Sequence, residues 1–160
     1  MSASAMLSLV VTFDDFARTL GLRVRAALVA AYGPEVGLDA SAEAIAYGRQ
    51  HWERVGAMAN PAGYLYRVGQ TAARREMRPQ RAHVRNESAS VAPEFDPGLM
   101  PALRSLTEHQ RVAVVMVHGF GWSQTEVAEI LNVSHSTVRT HIARAMVHLK
   151  EALEVAEHAD

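Results

Sequence analysis

Residues 123–145 read SQTEVAEILNVSHSTVRTHIARA. Ser123 and Glu126 stand in the Ser-x-x-Glu spacing of a capping box, where each side chain satisfies the other residue's backbone N–H at a helix start. Val127, Ala128, Ile130 and Leu131 form the apolar side of a short helix, which Asn132-Val133-Ser134 interrupts. Asparagine tolerates the left-handed conformation that such a turn needs, and Ser134 is a good cap for the next helix. Val138, Ile142, Ala145, Leu149 and Leu153 then recur at steps of four, three, four and four. A short helix, a three-residue turn and a long helix make the outline of a helix-turn-helix. With Val138, Ile142 and Ala145 buried, the second helix turns His135, Ser136, Arg139, Thr140 and Ala143 outward. That face is small and hydrogen-bonding, suited to a major groove. Arg139 is placed for a guanine edge, while Ser134, Thr137 and Arg144 flank the face as phosphate contacts, which set register without reading sequence. The alternative is a helical hairpin with a solvated outer face.

Upstream, Thr107-Glu108-His109-Gln110 forms a second capping box ahead of Val112, Val115 and Met116, and the helix it opens ends at His118-Gly119. Between Pro79 and Pro101 the apolar period lapses into Ser90, Pro93, Pro97 and Gly98 with clustered acids, the composition of a linker. Three more helices precede it. Phe16, Leu20, Val24, Ala27, Leu28 and Ala31 mark one from Asp14 to Tyr32, closed by Gly33-Pro34. Ile45, Gly48, Trp52 and Val55 mark another from about Asp39 to Val55, with Asp39 and Glu43 on its outer side. Asn60-Pro61 caps and opens the third, through Leu65, Val68 and Ala72 to Arg78-Pro79. Arg67, Gln70, Arg74 and Arg78 line its opposite face, with Arg75 beside them. The expected fold is therefore all-α: two small helical domains, residues 1–80 and 101–160, joined by a flexible linker over 81–100, the second domain being the helix-turn-helix.

The 160 residues carry a net charge of −1, but the charge is sorted by segment: six arginines and one glutamate stand between Arg67 and Arg85. A basic block inside a nearly neutral chain suits contact with a phosphate backbone within a larger assembly better than tight independent binding of nucleic acid. Its other reading is a solvated cationic face. Tyr64 and Tyr66 offer stacking surfaces for unpaired bases or serve as packing aromatics. The chain has no cysteine, which removes disulfides, thiolate metal sites and thiol catalysis and suits the cytoplasm. Residues 1–12 lack the basic start of a signal peptide, and no apolar run approaches the ~20 residues that span a bilayer, so a soluble protein without a membrane partner is expected. Eight histidines show no ligand spacing, and no nucleophile elbow, phosphate loop or dinucleotide fingerprint occurs. Neither a metal, a cofactor nor enzymatic catalysis is expected.

Leu103-Arg104-Ser105-Leu106-Thr107, Gln110-Arg111 and the stretch from Trp122 to Leu149 resemble the C-terminal domain of the sigma-70 family, in its short two-domain extracytoplasmic-function group. The same stretch also fits LuxR-type regulators. The N-terminal half separates the two, because Asp39 through Trp52 and Asn60-Pro61-Ala62-Gly63-Tyr64-Leu65-Tyr66-Arg67 resemble the sigma domain that grips polymerase and opens the minus-ten element. This resemblance implies a transcription initiation factor that reads the minus-thirty-five element with its helix-turn-helix. It implies core RNA polymerase as partner through the beta-prime clamp helices and the beta flap, promoter DNA, and an anti-sigma factor. It puts polymerase contact at Asp39 and Glu43, and minus-ten contact at Tyr64, Tyr66, Arg67, Gln70, Thr71, Arg74, Arg75 and Arg78. The chain departs from the family pattern in three places: Ala42 stands where a glutamine follows the acid, Tyr64 where tryptophan is frequent, and Thr71 where asparagine is. The rival readings are a LuxR-type regulator that never engages polymerase and a degenerate sigma-like interaction protein.

Overall fold

The computed structural model describes residues 11–80 and 98–159, and all regular structure among them is helical. Thr12 caps the first helix, α1 (Phe13–Arg18), by accepting from the Asp15 N–H at 3.2 Å. The single helix expected from Asp14 to Tyr32 is broken at Thr19, whose hydroxyl bonds back to the Asp15 carbonyl at 3.0 Å and whose backbone leaves helical geometry. Helix α2 (Leu20–Tyr32) ends at Gly33, which takes φ +86°, and Pro34 starts α3 (Pro34–Gln50) at once. The α3 start therefore precedes the expected Asp39. Proline is well suited there, because the first helical N–H has no internal partner. A break at His51 sets off the one-turn α4 (Trp52–Val55). Asn60 caps α5 (Pro61–Gln80), its carboxamide oxygen accepting from the Gly63 N–H at 2.8 Å.

Helices α2, α3 and α5 pack on one another as a three-helix unit. Gly37 of α3 lies so close to α2 that a Cβ there would stand 2.5 Å from the Val29 Cα. Gly69 of α5 likewise lies against the Leu28 side chain, 2.4 Å from a would-be Cβ. Leu28 thus sits at the point where the three helices meet.

The C-terminal half begins with α6 (Leu99–Ser105), two residues inside the segment expected to be linker. The remainder of that expected linker, 81–97, lies outside the described residues. The Thr107/Gln110 capping box is formed and opens α7 (Glu108–Val114), which runs on into a π-helical turn, Val115–Gly119. The Ser123/Glu126 box opens α8 (Gln124–Leu131), Asn132 ends it with φ 53° and ψ 48°, and Ser134 caps α9 (His135–Glu157).

The buried apolar residues of the two halves form one continuous cluster. Phe16, Val24, Leu28, Val55, Leu65 and Tyr66 belong to it together with Val112, Met116, Val127, Ile130 and Val138. A smaller cluster of Ala102, Leu106, Val114, Ala145 and Leu149 fastens α6 to α7 and α9. Polar contacts reinforce the junction between the halves. Arg111 donates to the carbonyls of Ala30 and Ala31 at 3.2 and 2.7 Å, covering acceptors that the last turn of α2 leaves open. Arg23 pairs with Glu126, and the Asn60 carboxamide donates to the Glu129 carbonyl at 2.7 Å.

Candidate nucleic-acid interface

The turn between α8 and α9 is held by its own backbone, with the Val133 N–H donating to the Ala128 carbonyl at 3.0 Å and Asn132 to Glu129 at 3.1 Å. The Ser134 hydroxyl accepts from the Thr137 N–H at 3.1 Å and meets the Ser136 and Thr137 hydroxyls at 3.0 and 2.7 Å. Val138, Ile142 and Ala145 are buried, which fixes the rotation of α9 about its axis. Ser134, His135, Ser136, Arg139, Thr140, Ala143 and Arg144 are consequently exposed, with Thr137 half-buried at the rim. Among the described residues the Arg139 and Arg144 guanidinium groups have no hydrogen-bond or ion-pair partner. Both are available to a ligand on that face.

The N-terminal candidates are more divided. Tyr64 is half-buried. Its hydroxyl lies 3.4 Å from that of Tyr47, their ring centroids are 6.3 Å apart, and the Arg54 guanidinium lies 6.0 and 5.8 Å from the Tyr47 and Tyr64 centroids. The hydrogen bonds with Tyr47 and Arg54 hold the Tyr64 phenol below its ordinary pKa. Arg54 was not among the residues picked out by sequence, since it sits on a one-turn helix with no periodic partner. Tyr66 is corrected: it is 1% exposed, a packing aromatic here rather than a stacking surface. Arg67, Thr71, Arg74, Arg75 and Arg78 are exposed and Gln70 is half-buried. Arg75 makes a bidentate pair with Glu43 at 2.9 and 2.8 Å, so the two carboxylates expected to act together differ: Glu43 is held by α5, whereas Asp39 faces solvent from α3.

Glu108 joins the two halves electrostatically. Tyr32 donates to its carboxylate at 2.6 Å, Tyr66 at 3.1 Å and Arg74 at 3.3 Å, and Gln70 donates as well. Burial opposes the Glu108 charge, but the hydrogen bonds from Tyr32, Gln70 and Tyr66 and the Arg74 charge outweigh it and hold the carboxyl below its ordinary pKa. The same contact, added to burial, pushes both phenols up. Sequence placed Glu108 only inside a capping box, because its partners lie 34 to 76 residues away.

His109 and His141 meet edge to face, 5.5 Å between centroids, and the His141 Nδ1 is buried without a hydrogen-bond partner among the described residues. Burial, then the His109 and Arg144 charges, lower the His141 pKa. Among the described residues no group of three or more His, Asp or Glu side chains is arranged to hold a metal ion, and no helix is long and apolar enough to cross a membrane.

Residues 99–149 match the family "Sigma-70, region 4". No curated protein matches the chain. Among solved structures the chain is similar to the sigma factor RpoE from Bartonella quintana, in a co-crystal with the anti-sigma factor NepR. The identity is 19%, the TM-score is 0.61, and the match covers 89% of this chain and 97% of that one. Residues 99–149 thus carry a sigma-70 region 4, and the described residues of both halves share the fold of that sigma-factor structure.

Proposed function

We propose that the chain is a transcription initiation factor of the two-domain, extracytoplasmic-function kind, which binds core RNA polymerase and directs it to promoter DNA. The observation that carries this reading is the exposed face of α9, where Arg139 stands without a partner among the described residues on a doubly capped helix-turn-helix. In the minus-thirty-five major groove Arg139 donates to a guanine O6 and N7, a bidentate contact of about 1–3 kcal/mol of discrimination. His135, Ser136 and Thr140 line the groove beside it, and Ser134, Thr137 and Arg144 hold the flanking phosphates. Helix α5 addresses the minus-ten region. Tyr64 supplies a stacking face beside the Arg54 cation, and Arg67 and Arg78 supply backbone charge, with Thr71 between them.

Asp39 is the polymerase contact at the clamp helices, and Glu43 joins it once it leaves Arg75. Region 4 meets the flap. The relative's complex supports an anti-sigma protein as a further partner of this chain. The factor contributes binding and strand separation, while nucleotide chemistry belongs to the polymerase. In vitro transcription with purified core polymerase tests the reading, and promoter-specific transcripts are expected. Core binding without transcripts would instead mark a degenerate sigma-like protein, and DNA binding without core binding a LuxR-type regulator.

A further inference from the structure

Three imidazoles and a guanidinium line one flank of the helix-turn-helix, beside the groove-facing residues. Ser134, Thr137, His141, Arg144 and His148 follow one another along α9 at steps of three, four, three and four, a single stripe at helical period. Burial of Val138, Ile142 and Ala145 turns that stripe to the rim of the DNA face, with Thr137 and His141 half-buried and Arg144 and His148 exposed. His109 of α7 meets His141 edge to face at 5.5 Å, and Gln110, Arg144, His148 and Glu151 line a surface pocket on the same flank. The Ser105 hydroxyl of α6 lies 2.9 Å from the His148 Nε2.

His141 stands between Thr137 and Arg144, the two residues of α9 assigned above to flanking phosphates, which are about 10 Å apart along the helix axis. A DNA strand held at both passes the imidazole between them. The His141 Nδ1 is buried without a hydrogen-bond partner among the described residues, so Nε2 is the nitrogen that reaches the surface. Burial, then the cationic charges of His109 across the α7 contact and of Arg144 on α9, hold this ring below its ordinary pKa. The nearby carboxylates are engaged elsewhere: Glu108 of α7 by Tyr32, Tyr66, Gln70 and Arg74, and Glu126 of α8 by Arg23. Glu129 of α8 is exposed where its backbone meets Asn60, and Glu151 stands ten residues farther along α9, about 15 Å away. An imidazole held neutral among cations takes up a proton when an anion is brought to it.

We infer that His141 is a proton-dependent contact for a DNA backbone phosphate, tuned by His109, so that duplex DNA binds this flank with uptake of a proton. The sign follows from linkage. At high pH His141 is neutral with and without DNA, and affinity is lowest; as pH falls the bound form protonates first and affinity rises, levelling once the free form protonates too. The inference rests on the helix-turn-helix reading of the proposed function, but its test needs no polymerase.

The probe is a rhodamine-labelled duplex of mixed sequence, since phosphate contacts do not depend on sequence. It is titrated with the full chain at constant low salt and read by anisotropy from about pH 8 to about pH 5.5, across the ordinary imidazole value of about 6.5. Over that range the parent is expected to gain about fivefold more affinity than His141→Gln, what one partly exposed ion pair supplies. At the acid end its salt slope should steepen by about 0.9 more than the variant's. His109→Gln removes a charge that opposes protonation of His141 and should move the rise to higher pH, a shift that a merely structural role for the ring pair would not produce. Circular dichroism verifies the fold at each pH, and if His141→Gln does not fold, the His109→Gln shift decides. A His141→Gln profile that follows the parent's, or a His109→Gln rise at the parent's pH, overturns the inference. So does a duplex affinity of the folded parent that is flat or falls on acidification. A chain that transcribes with core polymerase yet fails here keeps its initiation role and loses the proton-linked contact. One that passes here yet gives no transcripts keeps the contact and loses the initiation role, and absence of duplex binding at every pH overturns the contact together with the helix-turn-helix reading.

Discussion

The shared core makes a prediction that two tryptophans can read separately. Leu28 is fully buried where α2, α3 and α5 meet, with the backbones of Gly37 and Gly69 already in close approach around it. Leu28→Ala leaves a cavity beside Gly69, which has no side chain to fill it, while Gly37 already abuts the α2 backbone and holds α3 in place. The loss belongs in the upper part of the usual 2–5 kcal/mol range for a buried leucine, about 3–5 kcal/mol. At a urea slope of about 1–3 kcal/mol per molar, the unfolding midpoint should fall by at least ~1 M. Trp52 lies in the N-terminal half and Trp122 in the C-terminal half, its ring 5.6 Å from the Arg23 guanidinium of α2, so Trp122→Phe and Trp52→Phe backgrounds leave one reporter on each side of the junction. If one apolar cluster spans both, the Trp122 signal must shift with the Trp52 signal although the mutation is remote from it. A Trp122 midpoint that stays in place while Trp52 moves would show two independently folding units and refute the joint core.

Arg139→Ala should lose about 1–3 kcal/mol of discrimination at one minus-thirty-five base pair while leaving other positions unchanged, as read by binding to single-substituted duplexes. Arg78→Ala should weaken binding to all sequences alike and flatten the salt dependence by about one unit, read from log K against log salt. Ser123→Ala removes the acceptor for the Glu126 N–H and should cost about 1 kcal/mol, seen as a melting point lower by roughly 2–4 °C. The depressed Glu108 pKa fixes a sign with pH: its contribution to the folded state is complete above the ordinary carboxyl value of about 4.3 and is lost as pH falls through the folded value. Small-angle scattering from pH 7 to pH 3 should show acid expansion that Glu108→Gln lacks, and identical profiles for the two proteins would count against the contact.

What the sequence made legible was local. Both capping boxes, the left-handed Asn132, the Ser134 cap and the Val138–Ile142–Ala145 stripe each depend on residues within a turn or two, where spacing alone determines geometry. The breaks were harder to read for the opposite reason. Thr19 interrupts an apolar stripe whose period continues on both sides, and α3 starts at Pro34 because Gly33 turns the chain, not because a new stripe begins. The cluster of donors around Glu108 had no local signature at all. Tyr66 sits at the border between the buried stripe and the charged face of α5, so a helical wheel leaves its side undecided, and its place in the joint core with a hydrogen bond to Glu108 decides it. The Arg54–Tyr47–Tyr64 group has the same character, three residues from three helices assembled by packing.

The near-zero net charge and the basic α5 face are reconciled by where the acids stand in the folded chain. Two of the arginines of that face are countered internally, Arg74 by Glu108 from the far half and Arg75 by Glu43 from α3. The Arg75–Glu43 pair is exposed on both sides, 67% and 51%, so water and salt already compete with it and it contributes little, within about 0–1 kcal/mol. A phosphate or a polymerase surface can displace it at small cost. The Glu108 contact differs because its carboxylate is mostly buried and four-fold hydrogen-bonded, and it opens only when the apolar junction opens with it. Charge on one side of α5 is thus available on demand, whereas charge at Arg74 is conditional on separation of the halves. Where a phosphate displaces one of these carboxylates, duplex affinity should gain about 0.9 in salt slope per arginine released.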